Sequence, residues 1–237
     1  MLTHVAAVRH ALPRVGTRKL QHHLAARGVP VGRDHLYTVL RAHDELVKRK
    51  RRHTQTTYSR HAYAVAPNRV KTMTVSAPRQ VVVSDITYLR LARDGFAYLF
   101  LVTDLFARRI VGWHVSRDLS HHAALIALHH AIHTLGATQG IVHHSDRGSQ
   151  YCCHEYLHQL HAHHMLPSMT DADHCYQNAV AERVNGILKD EFDLDATFSS
   201  MTEAQYAVAH AIETYNTIRT HGSLQLQTPQ QVFDHAA

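Results

Sequence analysis

Residues 80–116 read QVVVSDITYLRLARDGFAYLFLVTDLFARRIVGWHVS and contain three runs rich in Val, Ile, Leu, Phe and Tyr. Runs of this kind are typical of buried or half-buried β-strands. Asp94–Gly95 is a hairpin signal between the first two runs, and a short turn at Ala107–Arg108 separates the second from the third. The stretch therefore predicts three consecutive antiparallel strands, at residues 80–91, 96–106 and 108–116.

The residues after this stretch alternate between helical and strand-like patterns. Ser120 is a candidate N-cap of a helix that ends at Gly136. Three antiparallel strands followed by alternating helices and strands predict an α/β fold with a mixed sheet of the ribonuclease H kind. The later elements are predicted as a strand at 140–145, a helix at 150–163, a strand at 165–168, and helices at about 177–192 and 201–219.

The N-terminal part of the chain has helical periodicity instead. Leucines recur one turn apart at Leu20 and Leu24 and again at Leu36 and Leu40, on either side of a turn at Gly28. Two short amphipathic helices of this kind are typical of helix-turn-helix DNA-binding segments, and equally of other helical hairpins. We divide the chain into a helix-turn-helix-like segment at 1–47, a basic linker at 48–78, and a catalytic core with C-terminal helices at 79–237.

The net charge of +6 is unevenly distributed along the 237 residues. Residues 1–80 carry 16 Lys and Arg against 3 Asp and Glu, whereas residues 81–237 carry 9 against 16. The basic first third predicts contact with a polyanion through its phosphates, although a solvated basic face has the same composition. The basic residues that we expect to contact DNA in this part are Arg18, Lys19, Arg33, Lys48, Arg49, Lys50, Arg51 and Arg52.

Several functional classes are disfavoured by composition. The chain has neither an N-terminal run of signal-peptide length nor eighteen consecutive apolar residues, which predicts a cytoplasmic, nucleoid-associated protein without a membrane partner. The three cysteines form no CxxC pair and are expected to be reduced. The 25 histidines lack cysteine partners at zinc-finger spacing and an HExxH motif, so composition bias explains them better than zinc binding.

Three acidic residues stand out by their positions. Asp85 lies inside an apolar strand, Asp146 ends the fourth predicted strand before Gly148, and Glu182 lies in a helix 35 residues after Asp146. Singly, each has an ordinary explanation as a strand-end acceptor, a turn residue or an exposed helical residue. Jointly, they predict a site for Mg²⁺, which prefers carboxylate, water and phosphate oxygens. Two ions about 4 Å apart would support in-line phosphoryl transfer.

At these residues the sequence resembles the insertion-sequence transposases of the two-frame type, whose downstream-frame product shares its catalytic core with retroviral integrases. SDITYL at 84–89 and TDLFARRIVGWH at 103–114 are similar to the block around the first aspartate. HHSDRGSQY at 143–151 is similar to the block of the second. The glutamate block and the ends of the chain also match, in the stretches SMT at 168–170, CYQNAVAERVNGILKDE at 175–191, ETYNTIRTHGSL at 213–224, Thr228–Pro229, and PRVGTRKL at 13–20.

The resemblance implies a DDE transposase in which Asp85, Asp146 and Glu182 bind Mg²⁺ or Mn²⁺. It implies that Lys189 contacts DNA near the cut and that Asn178 faces the same site; Arg147, beside the second aspartate, is a further candidate for DNA contact. The implied reaction frees a 3′-hydroxyl at the end of a mobile element and joins it to another phosphodiester. The implied partners are DNA with terminal inverted repeats, target DNA, an upstream-frame protein or fusion, and further copies of the chain.

Four positions depart from the family pattern. Val82 stands where a tryptophan is common, Asp173 where a glycine is expected, Gln177 where an acidic residue is common, and Arg183 where a small hydroxyl residue follows the glutamate. None of these changes removes an implied metal ligand. Two alternatives remain: a DNA-binding regulator with a degenerate core, and a ribonuclease H-like nuclease that cuts RNA in hybrids.

Overall fold

The computed structural model describes residues 1–47, 65–93, 95–171 and 178–235. The strands within these ranges are β1 (Val81–Leu91), β2 (Gly95–Asp104), β3 (Ile110–Ser116), β4 (Val142–Ser145), β5 (Leu166–Met169) and β6 (Thr197–Phe198). They form one mixed sheet in the order β3-β2-β1-β4-β5, and β6 pairs with the end of β1. The predicted α/β fold with a mixed sheet is confirmed.

The first three strands form the antiparallel part of the sheet, as predicted. β2 pairs antiparallel with both β1 and β3, while β4 pairs parallel with β1 and β5 parallel with β4. Gly95 opens β2 with a φ of 76°, a backbone conformation that glycine adopts readily. Asp94, the other residue of the predicted hairpin signal, lies outside the described residues.

Helices cover both faces of the sheet. They are α4 (His121–Leu135), α5 (Ser149–Cys152), α6 (His154–Ala162), α7 (Ala179–Glu191), α8 (Met201–Thr217) and α9 (Pro229–His235). One apolar core joins the sheet to α4, α5 and α6, and a second joins the opposite face to α7 and α8. Helix α4 lies so close to β3 that a Cβ at Gly112 would come 2.2 Å from the carbonyl oxygen of Ala127.

Some element predictions need correction. The single helix predicted at 150–163 is two helices, because Cys153 has an extended backbone with ψ of 154° and separates α5 from α6. β6 and α9 were not predicted, since a two-residue strand and a seven-residue helix carry almost no periodicity of their own. The predicted caps of α4 are present: the Ser120 side chain accepts from the Ala123 N–H, and Gly136 ends the helix.

The N-terminal residues form a helical unit with its own core. Its helices are α1 (Leu2–Ala11), α2 (Thr17–Ala26) and α3 (Arg33–Ala42), and the predicted leucines of α2 and α3 are fully buried in it. α1 was not predicted, because only Val5 and Val8 of that helix are buried. The unit docks on the end of α7, where Phe192 packs against both its core and the α7–α8 core.

The region predicted as a basic linker is only partly described. Residues 65–78 lie on the core rather than away from it: Ala66 and Val75 pack against its apolar clusters, and the Arg69 N–H donates to Ser168 Oγ at 2.9 Å. Residues 48–64, with the predicted DNA-contacting run Lys48, Arg49, Lys50, Arg51 and Arg52, lie outside the described residues. No helix in the described part of the chain is long and apolar enough to cross a membrane.

Candidate active site at the edge of strand β1

The sheet register brings Asp85 and Asp146 together. Val83 of β1 is the parallel partner of His144 of β4, so both strands reach an aspartate two residues further on. Neighbouring strands lie about 4.8 Å apart, and side chains two residues along point to the same face. A separation of about sixty residues in the sequence therefore becomes a side-by-side placement at the end of β4.

Helix α7 brings Glu182 to the same edge. β4 pairs with β1 only as far as Val83, and β6 pairs only from Arg90 onward, so neither strand covers residues 84–89 on this side. Two asparagines of the α7 region bond to this open segment of β1. Asn178 Nδ2 donates to the Ser84 carbonyl at 3.1 Å, and Asn185 Nδ2 donates to Asp85 Oδ2 at 2.7 Å. Glu182 is exposed between them on the same helix.

The three carboxylates influence one another electrostatically. Burial, the negative charge of Asp146 and, to a smaller extent, that of Glu182 together raise the pKa of Asp85 to about 7, against hydrogen bonds from the Ile86 N–H and Asn185. The pKa of Glu182 is also raised, by partial burial of its carboxyl group. The repulsion between neighbouring carboxylates is reduced either when one of them binds a proton or when a cation binds between them.

The donor chemistry of this cluster fits a divalent ion, although the cluster is open. Three carboxylates are the hard oxygen ligands that Mg²⁺ and Mn²⁺ accept. Within the described ranges, no three His, Cys, Asp or Glu side chains lie close enough together to hold a metal ion as they stand. The aspartate pair is set by the sheet register, whereas Glu182 is exposed.

A short loop fixes the second aspartate. The Gly148 N–H donates to Asp146 Oδ1 at 2.9 Å, and a Cβ at Gly148 would come within 3.0 Å of that oxygen. A larger residue at position 148 would therefore crowd the carboxylate. Arg147, predicted to contact DNA, donates from Nε to the Thr170 carbonyl at 2.8 Å and ties this loop to the end of β5. Its role in DNA contact stays a prediction.

A buried polar network that was not predicted supports β1 from the other side. Ser84 Oγ lies 2.7 Å and Tyr156 Oη 2.9 Å from His143 Nε2, and all three side chains are buried. Burial, assisted by His144, lowers the pKa of His143 to about 3, so the ring is neutral and its nitrogen can accept from a hydroxyl. The network joins β1, β4 and α6 directly beside Asp85.

The predicted basic residue Lys189 lies two turns after Glu182 on α7. Its ammonium stands 4.0 Å from the centre of the Tyr88 ring, a cation–π contact, and Tyr88 in turn makes an edge-to-face contact with the half-exposed Phe96. Lys189 is thus held at the same edge of β1 as the carboxylates. Asn178, also predicted to face the site, is buried and bonded to the backbone of β1.

The basic residues predicted on the N-terminal helices have different surroundings. Arg18 is exposed on α2, and Arg33 is exposed on α3, where it pairs with the adjacent Asp34. Lys19 donates to Glu191 Oε1 at 3.2 Å, and burial together with the nearby Arg219 lowers its pKa to about 8. The structure thus gives Lys19 an internal contact between the helical unit and α7, and its role in DNA contact stays a prediction.

Comparison with known proteins places this site in a family. The integrase core domain matches residues 75–175, and a second integrase core domain family matches residues 163–229. A protein of insertion element IS600 from Shigella sonnei, described as an uncharacterized 31 kDa protein, is 36% identical over 88% of this chain and 77% of its own. Transposase InsF for insertion sequence IS3A of Escherichia coli strain K12 is 31% identical over 96% of this chain and 79% of its own.

This chain belongs to the insertion-sequence transposases with an integrase core. It is accordingly a DNA transposase, an enzyme of the polynucleotidyl transferase type, as the resemblance of its motifs implied. The two aspartates lie within the first matched region and Glu182 within the second, so the matches cover every element of the site.

Solved structures show the same fold. The catalytic core of HTLV-2 integrase, in a structure with magnesium, has a TM-score of 0.54 at 18% identity and covers 66% of this chain and 97% of its own. A chain of the simian T-cell lymphotropic virus intasome in complex with PP2A regulatory subunit B56 gamma has a TM-score of 0.57 at 17% identity and covers 97% of this chain and 74% of its own. The ribonuclease H-like architecture of the core is confirmed, and the latter match covers nearly the whole chain.

Sequence reasoning missed Asn185 and the network of Ser84, His143 and Tyr156. Asn185 had a usable signal, because it lies three residues after Glu182 and therefore on the same helical face. The three members of the network are 59 and 13 residues apart, and no spacing rule connects them.

Proposed function

We propose that Asp85, Asp146 and Glu182 hold two divalent metal ions, Mg²⁺ or Mn²⁺, and that this centre cuts the 3′ ends of a mobile element and joins them to target DNA. The observation that carries the proposal is the parallel register of β1 and β4, which sets Asp85 beside Asp146, together with the effect of both other carboxylates on the pKa of Asp85. The family and the magnesium-containing integrase core among its structural neighbours support it.

Bound ions would activate the attacking oxygen and stabilise the leaving oxygen of an in-line displacement. The protein's own groups orient the ligands. Asn185 holds one oxygen of Asp85 while the Ile86 N–H binds the other, and the Gly148 N–H holds Asp146. Fixed carboxylates lose little freedom when they bind an ion, which favours a defined geometry.

Lys189 is placed to bind a phosphate beside the reacting bond. Lys189 lies on the helix that carries Glu182, and its ammonium contacts the ring of Tyr88 on the open segment of β1. The first reaction would be hydrolysis at the element's end, which frees a 3′-hydroxyl. In the second, that hydroxyl would attack a phosphodiester of the target, with no covalent intermediate on the protein.

The proposed partners are the terminal inverted repeats, target DNA and an upstream-frame protein that adds DNA-binding capacity. Two element ends must be handled together, and a structural neighbour is part of an intasome assembly, so we propose that several copies assemble on DNA. Arg18 and Arg33 are exposed on the helical unit and are proposed to contact phosphates there.

The test uses the full chain, with its upstream-frame partner, and a duplex that carries the element's terminal repeat. We expect strand cleavage and strand transfer in Mg²⁺ that Asp146→Asn eliminates while DNA binding in a mobility-shift assay is unchanged. Asp118→Asn, at an exposed loop position, is the matched control and should remain active. Wild-type protein that binds the duplex but never cleaves it would contradict the catalytic proposal, and cleavage of RNA in hybrids alone would favour the nuclease alternative.

A further inference from the structure

A second concave site lies on the opposite side of α7 from the carboxylates. Residues 178, 182, 185 and 189 recur on the face of α7 toward β1, whereas residues 180, 183, 184 and 187 recur on the other face. That other face borders a cavity of about 420 Å³. The size falls within the range of small-molecule and cofactor sites.

The cavity wall is strongly basic. Its cations come from four separate parts of the chain, namely Lys19 of α2, Arg108 of the β2–β3 turn, Arg183 of α7 and Arg219 after α8. All four act on one group: burial and then each of these charges lower the pKa of His221, which also lines the cavity, to about 2. The four cations therefore converge on the same space.

The acidic groups nearby do not balance this charge. Glu191 accepts two bonds from Arg219, at 2.8 and 2.7 Å, and one from Lys19. Asp104 lies close enough to influence Arg108, but its carboxylate accepts three backbone N–H groups of the β2–β3 turn and its adjoining loop. Among the described residues, Glu191 and Asp104 thus offset only part of the charge of the four cations at the wall.

Two buried nitrogen atoms at the wall lack a partner. Arg108 Nη1 and His221 Nε2 are shielded from solvent and make no hydrogen bond within the described part of the chain. The His221 residue as a whole is 7% exposed. Native proteins rarely leave buried polar atoms without a hydrogen-bond partner, so unpaired donors at a concave surface are candidates for ligand contacts. A ligand with several acceptor oxygens would satisfy a guanidinium and an imidazole N–H together.

We propose that this cavity binds a phosphate group, supplied either by the backbone of a DNA strand or by a free nucleotide. Guanidinium groups match the geometry of phosphate oxygens and bind them with two parallel hydrogen bonds. The cavity holds three of them, and its volume accommodates a phosphate with the attached sugar. The DNA form of the proposal rests on the proposed function: a strand held here would lie across one helix from the cutting centre.

Arg183 is the cation that α7 contributes to the cavity wall. It stands directly after Glu182 and is exposed at the rim of the cavity. A neutral residue at this position would leave three cations at the wall. Replacement of Arg183 is therefore expected to weaken phosphate binding while the other three cations stay in place.

The experiment measures binding to the full chain by isothermal titration calorimetry in EDTA, so that the carboxylate centre contributes no metal-dependent binding. The probes are inorganic phosphate and a 5′-phosphorylated trinucleotide. Arg108→Gln and Arg183→Gln should each weaken binding about tenfold, the loss typical of one charge-assisted hydrogen bond. Arg117→Gln, at an exposed position outside the cavity, is the matched control and should bind as wild type. Circular dichroism checks that each variant is folded.

Absence of binding by the folded wild-type protein to both probes, or binding that neither cavity variant weakens, would overturn the proposal. A mobility-shift assay in EDTA with a duplex then separates the two sources of phosphate. Weaker duplex binding by Arg183→Gln supports a DNA strand, and unchanged duplex binding with weaker trinucleotide binding supports a free nucleotide. Because these assays contain no metal, loss of the catalytic proposal would leave their result intact.

Discussion

Helix α7 separates two charged regions of opposite sign. On one face, Asp85 and Asp146 lie beside Glu182 with Asn185 and Ile86 N–H as the donors that restrain Asp85. On the other face, three arginines and a lysine line a cavity, and Glu191 and Asp104 are acids near them. The same physical causes act in both regions: burial first, and then neighbouring like charges, raise the pKa of Asp85 on one side and lower the pKa values of His221 and Lys19 on the other.

A helix with a 3.6-residue period presents different side chains to the two regions. Glu182 and Arg183 are consecutive, yet they point about 100° apart and serve different regions. The following predictions ask whether the two faces can be altered independently.

The largest expected effect is on catalysis at the acidic face. Glu182→Gln keeps the size of the side chain and removes its charge, so we expect the rate of strand cleavage in Mg²⁺ to fall at least about a thousandfold. The rate is measured under single-turnover conditions. Glu213→Gln, exposed on α8, is the control; retention of the rate by Glu182→Gln to within tenfold would contradict the role of the acidic face.

Stability of the basic face depends on a buried ion pair. Arg219 is 1% exposed and binds Glu191 through two parallel bonds, so Arg219→Met leaves the carboxylate without its guanidinium. We expect the free energy of unfolding to fall by about 3 to 4 kcal/mol, as is usual when one partner of a buried pair is removed. Urea denaturation measures it. Arg90→Met breaks a half-exposed ion pair with Asp195 and should lower the free energy of unfolding by less than about 1 kcal/mol. Equal losses of stability in the two variants would contradict the larger role of the buried pair.

Acid should destabilise the basic face. The pKa of His221 is about 2 in the folded protein and 6.5 when unfolded, so the unfolded chain binds more protons between these values and stability falls as the pH drops below 6.5. We expect His221 to account for about 2 kcal/mol of lost stability between pH 6.5 and 5. Denaturation of His221→Gln at several pH values should show a correspondingly weaker dependence of the unfolding free energy on pH. An unchanged dependence would argue against a buried neutral imidazole.

The acidic face should respond to pH with the opposite sign. The pKa of Asp85 is about 7 in the metal-free folded protein and 3.8 when unfolded, so the folded chain binds more protons between these values and stability falls as pH rises through them. Because the Asp85 side chain keeps some contact with solvent, which screens its charge, we expect a loss of stability of about 1 kcal/mol between pH 5 and 7. Thermal denaturation in EDTA should show that Asp85→Asn removes this dependence of stability on pH. If the dependence persists in the variant, a group other than Asp85 causes it.

The smallest expected effect concerns the contact between Lys189 and Tyr88. Both groups are partly accessible, so a double-mutant cycle with Lys189→Met and Tyr88→Leu should give a coupling energy of about 0.5 to 1 kcal/mol in stability. A coupling energy of zero would mean that the ring does not hold the ammonium. The effect of Lys189→Met on DNA cleavage can then be separated from its small effect on folding.

Much of this molecule was predictable from local pattern. The alternation of Val, Ile and aromatic residues predicted β1, β2 and β3, and the cap residues Ser120 and Gly136 predicted the limits of α4. Elements whose formation depends on contacts with distant segments were not predicted, or were predicted with the wrong limits. The two-residue β6 exists because Thr197–Phe198 meets Arg90–Leu91, and neither glycine nor proline marks the break at Cys153 between α5 and α6.

The sequence by itself determined which chemistry was available: two aspartates at strand positions, a glutamate and a lysine seven residues apart on one helix, and a basic first third. Only the tertiary structure decided which of these groups meet. Strand register placed Asp146 beside Asp85, helix packing gave Asp85 its bond from Asn185, and four cations between positions 19 and 219 converged on His221. The reason is that local patterns fix the direction of side chains along an element, whereas contacts between distant segments depend on how the apolar faces of those elements pack.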